Sequence, residues 1–128
     1  MNDLSDLYQE EILAAAKEKH NFGVMAKADA QFSQHNTACG DKIAVQIKLS
    51  QDKTIIKDLK WQGDGCVISQ ASISKLSQVV IGKPVATVNA YSEKELLKLL
   101  RLKSIAPGRE HCLQLGLQAL KKALAITI

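Results

Sequence analysis

The chain has 128 residues, 46% of them hydrophobic and 23% charged, with a net charge of +4. That length suits a single domain, residues 1–128, with one hydrophobic core. No apolar run is long enough to span a membrane, and the opening Met1-Asn2-Asp3-Leu4-Ser5-Asp6 is too acidic for a secretory signal. A cytoplasmic location is expected, where thiols stay reduced.

Asp3 to Lys19 reads as a first helix, because Leu4, Leu7, Tyr8, Ile12 and Ala15 recur at spacings of three and four. Its apolar stripe suits docking on the core or on a partner. Asn21-Phe22-Gly23 is expected to end it, with Gly23 as the stop. Val24 to Asn36 is ambiguous, with a short strand expected near Ala30 to Gln34. Lys42 to Leu49 alternates strictly, Ile43, Val45, Ile47 and Leu49 on one face and Lys42, Gln46 and Lys48 on the other. Ser50 to Lys53 is a polar turn. Thr54 to Trp61 then reads as a second strand, with Ile55, Leu59 and Trp61 inward. Two such strands and a short turn predict an antiparallel hairpin.

Gly63-Asp64-Gly65-Cys66 follows as a glycine-rich turn, and Val67 to Ile81 reads as a helix ending before Gly82 and Pro84. Its expected core positions are Ile68, Ala71, Leu76, Val79 and Val80. Ser92 and Glu95 form a capping-box pattern at the head of a helix from Glu93 to Leu102, with Leu96, Leu97, Leu99 and Leu100 as its apolar face. Ile105-Ala106-Pro107-Gly108 breaks the chain. A last helix spans about Arg109 to Ala125 and buries Leu113, Leu117, Leu120 and Leu124. Strands first and helices later predict an α+β fold, a small antiparallel sheet packed on one face by helices.

Charge is uneven. Met1 to Asp41 holds three lysines against seven acids, whereas Glu93 to Lys122 holds seven basic residues against three acids. The basic residues are scattered at helical spacing without interleaved aromatics. That pattern fits a solvated helix face or an acidic protein partner better than nucleic acid. Neither nucleic acid nor membrane is an expected partner, and a monomer or weak dimer is expected.

Three cysteines cannot all pair within the chain, and no CxxC pair is present. Each falls where an element begins: Cys39 before the first hairpin strand, Cys66 at a helix start, Cys112 in the first turn of the last helix. The hairpin returns the Cys66 end to the Cys39 end. At a helix N-terminus, Cys66 meets unpaired N–H groups that favour a thiolate. Asp41 lies two residues after Cys39, on the same side of an extended segment. His111 and Cys112 diverge by about 100° on an ideal helix. Each residue has a plainer reading: Cys66 a buried structural cysteine, Asp41 a turn residue, His111 a surface histidine. A thiol enzyme pairing Cys66 with His111, or a structural zinc site, is also open. Soft thiolates suit zinc and iron–sulfur clusters, and a hard carboxylate among them makes a weaker, more exchangeable ligand. Arg109 or Lys42 could offset the negative charge.

Ala38-Cys39-Gly40-Asp41, Gly65-Cys66 with its Ser/Ala-rich helix, and His111-Cys112 together resemble the U-type iron–sulfur cluster scaffold family of IscU, SufU and the NifU N-terminal domain. The resemblance covers roughly Leu4 to Leu124. It implies a compact α+β domain and a site of Cys39, Asp41, Cys66 and Cys112, with His111 as alternative fourth ligand. By the same resemblance, that site is expected to hold zinc or a nascent 2Fe–2S cluster. It further implies a cysteine desulfurase as sulfur donor, Cys112 as sulfur acceptor, and acceptor apoproteins as recipients. The implied role is a non-enzymatic scaffold or, in a SufU-like reading, a zinc-dependent sulfurtransferase. Subtype features are mixed. The turn Gly63 to Cys66 and Arg109 look like SufU, but the step from Cys66 to Cys112 lacks room for the usual SufU insertion. His111 looks like IscU, yet Ser104 to Arg109 replaces the chaperone-binding Leu-Pro-Pro-Val-Lys of IscU.

Overall fold

A computed structural model describes residues 3–36, 40–105 and 108–127, without the side chains of 3–9 and 127. The order is α1 (Asp3–Glu18), β1 (Ala30–Asn36), β2 (Asp41–Leu49), β3 (Ile56–Asp64), α2 (Val67–Val80), α3 (Val85–Asn89), α4 (Glu93–Leu99) and α5 (Glu110–Thr127). The strands form one antiparallel sheet in the order β1-β2-β3. Helix α5 lies across β1 and β2, α2 packs on β3 and α5, and α1 packs on α2. The expected α+β architecture is therefore the observed one.

The alternation of β2 sorts its faces as the sequence predicts. Ile43, Val45, Ile47 and Leu49 are buried, while Lys42 and Lys48 are exposed. In β3 the expected inward face needs correction. The register shifts between Lys48 and Leu49, so that Lys48 faces Asp58 and Leu49 faces Ile56. This irregularity leaves Lys57 unopposed, and Ile56 rather than Ile55 joins Leu59 and Trp61 in the core.

Trp61 anchors the far side of the sheet. Its Nε1–H donates to the His20 carbonyl at 2.7 Å, and its ring meets Phe22 edge-on at 4.9 Å. Gly23 N–H donates to the Trp61 carbonyl, and Trp61 N–H to the Asn21 carbonyl. Residues 21–23 thus run along the open edge of β3 and cover it. Helix α1 ends at Glu18, one residue before the expected Lys19, which takes the left-handed conformation at φ 47° while its N–H reaches the Ala15 carbonyl. Gly23, the expected stop, also has a positive φ, 148°, but lies beyond the helix end.

Two other boundaries move. Helix α4 ends at Leu99 rather than Leu102, because Arg101 is left-handed and Leu102 N–H turns back to the Leu97 carbonyl. Its capping box forms as predicted, with Ser92 N–H donating to Glu95 Oε1 at 2.6 Å. The one-turn α3, not anticipated, buries Val85 and Val88. Strand β1 continues past the expected Gln34 to Asn36, which pairs with Asp41. In α2, Ala71, Leu76 and Val80 are fully buried as expected, whereas Ile68 and Val79 are half-buried. The four leucines predicted for α5 are all buried.

Candidate metal centre

Three element ends meet at one point. Asp41 is the first residue of β2, Cys66 is the N-cap of α2, and Cys112 sits in the first turn of α5. The hairpin register explains the first meeting. Lys42 pairs with Asp64, so the chain leaves β3 beside the start of β2 and turns through Gly65 into α2. The turn needs small residues. A Cβ on Gly63 would lie 2.1 Å from the Lys42 carbonyl oxygen, and one on Gly65 would lie 2.9 Å from Asp41 Cγ. Helix α5 is brought in by α2, where the Ser72 hydroxyl donates to the Leu113 carbonyl at 2.8 Å.

One ligand atom from each of Asp41, Cys66 and Cys112 lies within 4.8 Å of the others. Asp41 is 6% exposed and Cys112 3% exposed, while Cys66 is half-buried. Asp41 Oδ2 accepts from the Ser69 hydroxyl at 2.7 Å and from the Cys66 N–H at 3.3 Å. Ser69 Oγ also lies 3.7 Å from Cys66 Sγ. Ser69 was not legible as a site residue. The available signal was its place three residues after Cys66, one helical turn on, which puts both on one face.

The two thiols are held differently. Burial pushes the Cys66 thiol up, but the Ser69 N–H, the Ser69 hydroxyl, Cys112 and the Ile68 N–H together bring it below its ordinary value. Cys112 is pushed up to about 12, by burial first, then by Cys66 and by Asp41. Its neighbours are an incipient thiolate and a carboxylate, so a second negative charge there is unfavourable.

His111 is exposed and does not join Asp41, Cys66 and Cys112 in the cluster. Cys39 lies outside the described residues, as do Thr37 and Ala38. Lys42 is exposed. Arg109, also exposed, lines a groove of about 550 Å³ with Cys66, Val67, Ile68 and Ile105.

The donor set fits a thiophilic metal. Tetrahedral zinc with bonds of about 2.3 Å to sulfur needs sulfurs roughly 3.8 Å apart, and atoms within 4.8 Å reach that by side-chain adjustment. Binding would relieve the like-charge conflict that keeps the proton on Cys112.

A three-stranded antiparallel sheet, helix-covered and carrying an Asp–Cys–Cys cluster at its element ends, defines a NifU-like fold. Residues 7–126 match the NifU-like N terminal domain, and the chain belongs to that family. It is 30% identical over 117 residues to the iron–sulfur cluster assembly scaffold protein IscU of Aquifex aeolicus, covering 91% of this chain and 73% of the relative. To the zinc-dependent sulfurtransferase SufU of Bacillus subtilis it is 32% identical over 139 residues, covering 96% and 92%. The N-terminal NifU-like protein of Brucella abortus shares the fold, with a TM-score of 0.79 at 20% identity over 97% of this chain and 96% of that one.

Proposed function

We propose that the chain is an iron–sulfur cluster assembly scaffold. The observation that carries this reading is the convergence of Asp41, Cys66 and Cys112 within 4.8 Å at the meeting of three elements. Cys39, two residues before Asp41, is the proposed fourth member, and His111, in the first turn of α5 beside Cys112, is the alternative fourth ligand. A 2Fe–2S cluster is the cargo. It is built on these residues from ferrous iron and persulfide sulfur, with an external reductant supplying the remaining electrons that bring the sulfur to sulfide, and is then handed to acceptor apoproteins. The carboxylate is a poorer ligand for a sulfide cluster than a thiolate, which makes the cargo releasable. The sulfur donor is a cysteine desulfurase, and the setting is the reducing cytoplasm.

The thiols set the order of events. In the metal-free protein Cys66 is the nucleophile: its thiolate attacks the terminal sulfur of a desulfurase persulfide and the desulfurase thiolate leaves. Cys112, the acceptor implied by the family resemblance, would take that role in a protein where an ion held with Asp41 and Cys66 displaced its proton. Anaerobic reconstitution with iron and sulfide tests the reading. The expected result is cluster absorption in the native chain and its loss in Cys66→Ala. A chain that forms no cluster, or a variant that forms it equally, refutes the scaffold.

A second reading is favoured by the groove that places Arg109 beside Cys66. Here zinc is the resident ion, and the chain takes sulfur from the desulfurase without building a cluster. Zinc removal then abolishes stimulation of the desulfurase, whereas a scaffold keeps its response to iron and sulfide.

A further inference from the structure

We propose that Ser69 is a positioning residue that sets the Asp41 carboxylate for metal ligation and couples it to Cys66. The inference rests on the metal-site reading. Ser69 is fully buried in the first turn of α2. A serine there usually turns to its own helix or to water, but this hydroxyl crosses to β2 and donates to Asp41 Oδ2 at 2.7 Å. The same oxygen accepts the Cys66 N–H at 3.3 Å. Gly65 admits this approach, since a Cβ there would press to 3.1 Å from Oδ2.

Three features of one turn therefore fix one carboxylate oxygen: the bare Gly65, the Cys66 amide and the Ser69 hydroxyl. Two hydrogen bonds hold Oδ2 to the protein and so set the orientation of the carboxylate. Ser69 Oγ also stands 3.7 Å from Cys66 Sγ. One hydroxyl thus bridges two candidate ligand side chains carried by different elements, and it has one proton to give. With a metal ion on the sulfur, that proton would be left to Asp41. The carboxylate is then held at fixed distance from the thiolate as the ion binds.

Partners of metal ligands typically contribute about 10–100-fold to affinity. Cobalt(II) is the probe, because thiolate ligation gives an ultraviolet charge-transfer band and the visible bands report ligand geometry. The intact chain, Ser69→Ala, Ser69→Thr and Ser77→Ala are titrated. Ser77 is buried on the same helix but bonds to the His20 and Ser74 carbonyls. In Ser69→Ala the dissociation constant is expected to rise about tenfold with a change in the visible bands. Ser69→Thr restores both, and Ser77→Ala changes the melting temperature alone. Native affinity and spectrum in Ser69→Ala overturn the proposal, and so does an equal affinity loss in Ser77→Ala.

Ser69→Ala leaves a buried carboxylate short of a donor and is the variant at risk of misfolding. The pair Asp41→Ala and Asp41→Ala/Ser69→Ala avoids that, because both partners are gone. Equal cobalt affinity in these two supports the proposal, and a further loss in the double variant overturns it. Absence of the thiolate band in the intact chain is a separate result, which refutes the metal site itself.

Discussion

At Cys66 the N–H groups of the first turn of α2 and the Ser69 hydroxyl outweigh burial, and the thiol ionises below its ordinary range. At Cys112 burial and two acidic neighbours hold the proton on until about 12. Alkylation of the metal-free protein should therefore label Cys66 ahead of Cys112. The Cys66 rate should rise with pH through a midpoint below that of a free thiol, read by peptide mass spectrometry at several pH values. Labelling of Cys112 first contradicts the assignment. Metal uptake carries the opposite signature. Binding replaces the Cys112 proton, so near neutral pH about one proton is released from that thiol for each ion bound. Apparent zinc affinity should then climb about tenfold per pH unit from this group alone. Below the lowered midpoint of Cys66 the slope steepens, because Cys66 must then also lose a proton. Calorimetry in buffers of different ionisation enthalpy counts the protons, and a pH-independent affinity excludes Cys112 as a ligand.

The element that organises the site is the passage from β3 through Gly63 and Gly65 into α2. Replacing Gly63 by alanine puts a Cβ 2.1 Å from a backbone oxygen of the paired strand, which no side-chain rotation relieves. The expected loss is at least about 2 kcal/mol of unfolding free energy, measured in urea. Gly116→Ala is milder. Its Cβ would lie 2.9 Å from Ile73 Cβ and press α5 away from α2, while alanine improves the helix. A net loss of roughly 1 kcal/mol is expected. Much of this level was legible in the sequence, for a physical reason. Strict alternation in β2 and the leucine stripe of α5 are local codes, so they announce strand and helix without tertiary information. The burial of Ile56 over Ile55 was not legible, because a register shift depends on the partner strand. Nor was the left-handed conformation of Lys19, since a lysine carries no signal for it. Among site residues, Asp41, Cys66 and Cys112 stood out by chemistry and by their places at element ends. Ser69 did not, because serine is common along α2 and only the packing of β2 gives one of them a carboxylate.

Across the whole molecule, helices and sheet share one hydrophobic cluster that includes Ile43, Trp61, Ile73, Leu76 and Leu120. No helix among the described residues is long and apolar enough to cross a membrane. The candidate metal centre lies where β2, α2 and α5 begin, so an ion there would tie together segments far apart in sequence. A ligand that binds only the folded chain stabilises it by about 4 kcal/mol when present at roughly a thousand times its dissociation constant. For a chain of this size that raises the melting temperature by roughly 10–15 °C. Thermal unfolding with and without saturating zinc should show this increment, and a chelator should abolish it. Free thiols in the unfolded chain also bind zinc, which trims the gain without reversing it. Cys66→Ser should keep a metal-free melting temperature near that of the intact chain, because Cys66 is half-buried, yet lose most of the response to zinc. An undiminished response in that variant would place the stabilising ion elsewhere. A variant that melts far lower without zinc would show that the Cys66 sulfur supports the fold itself, before any ion arrives.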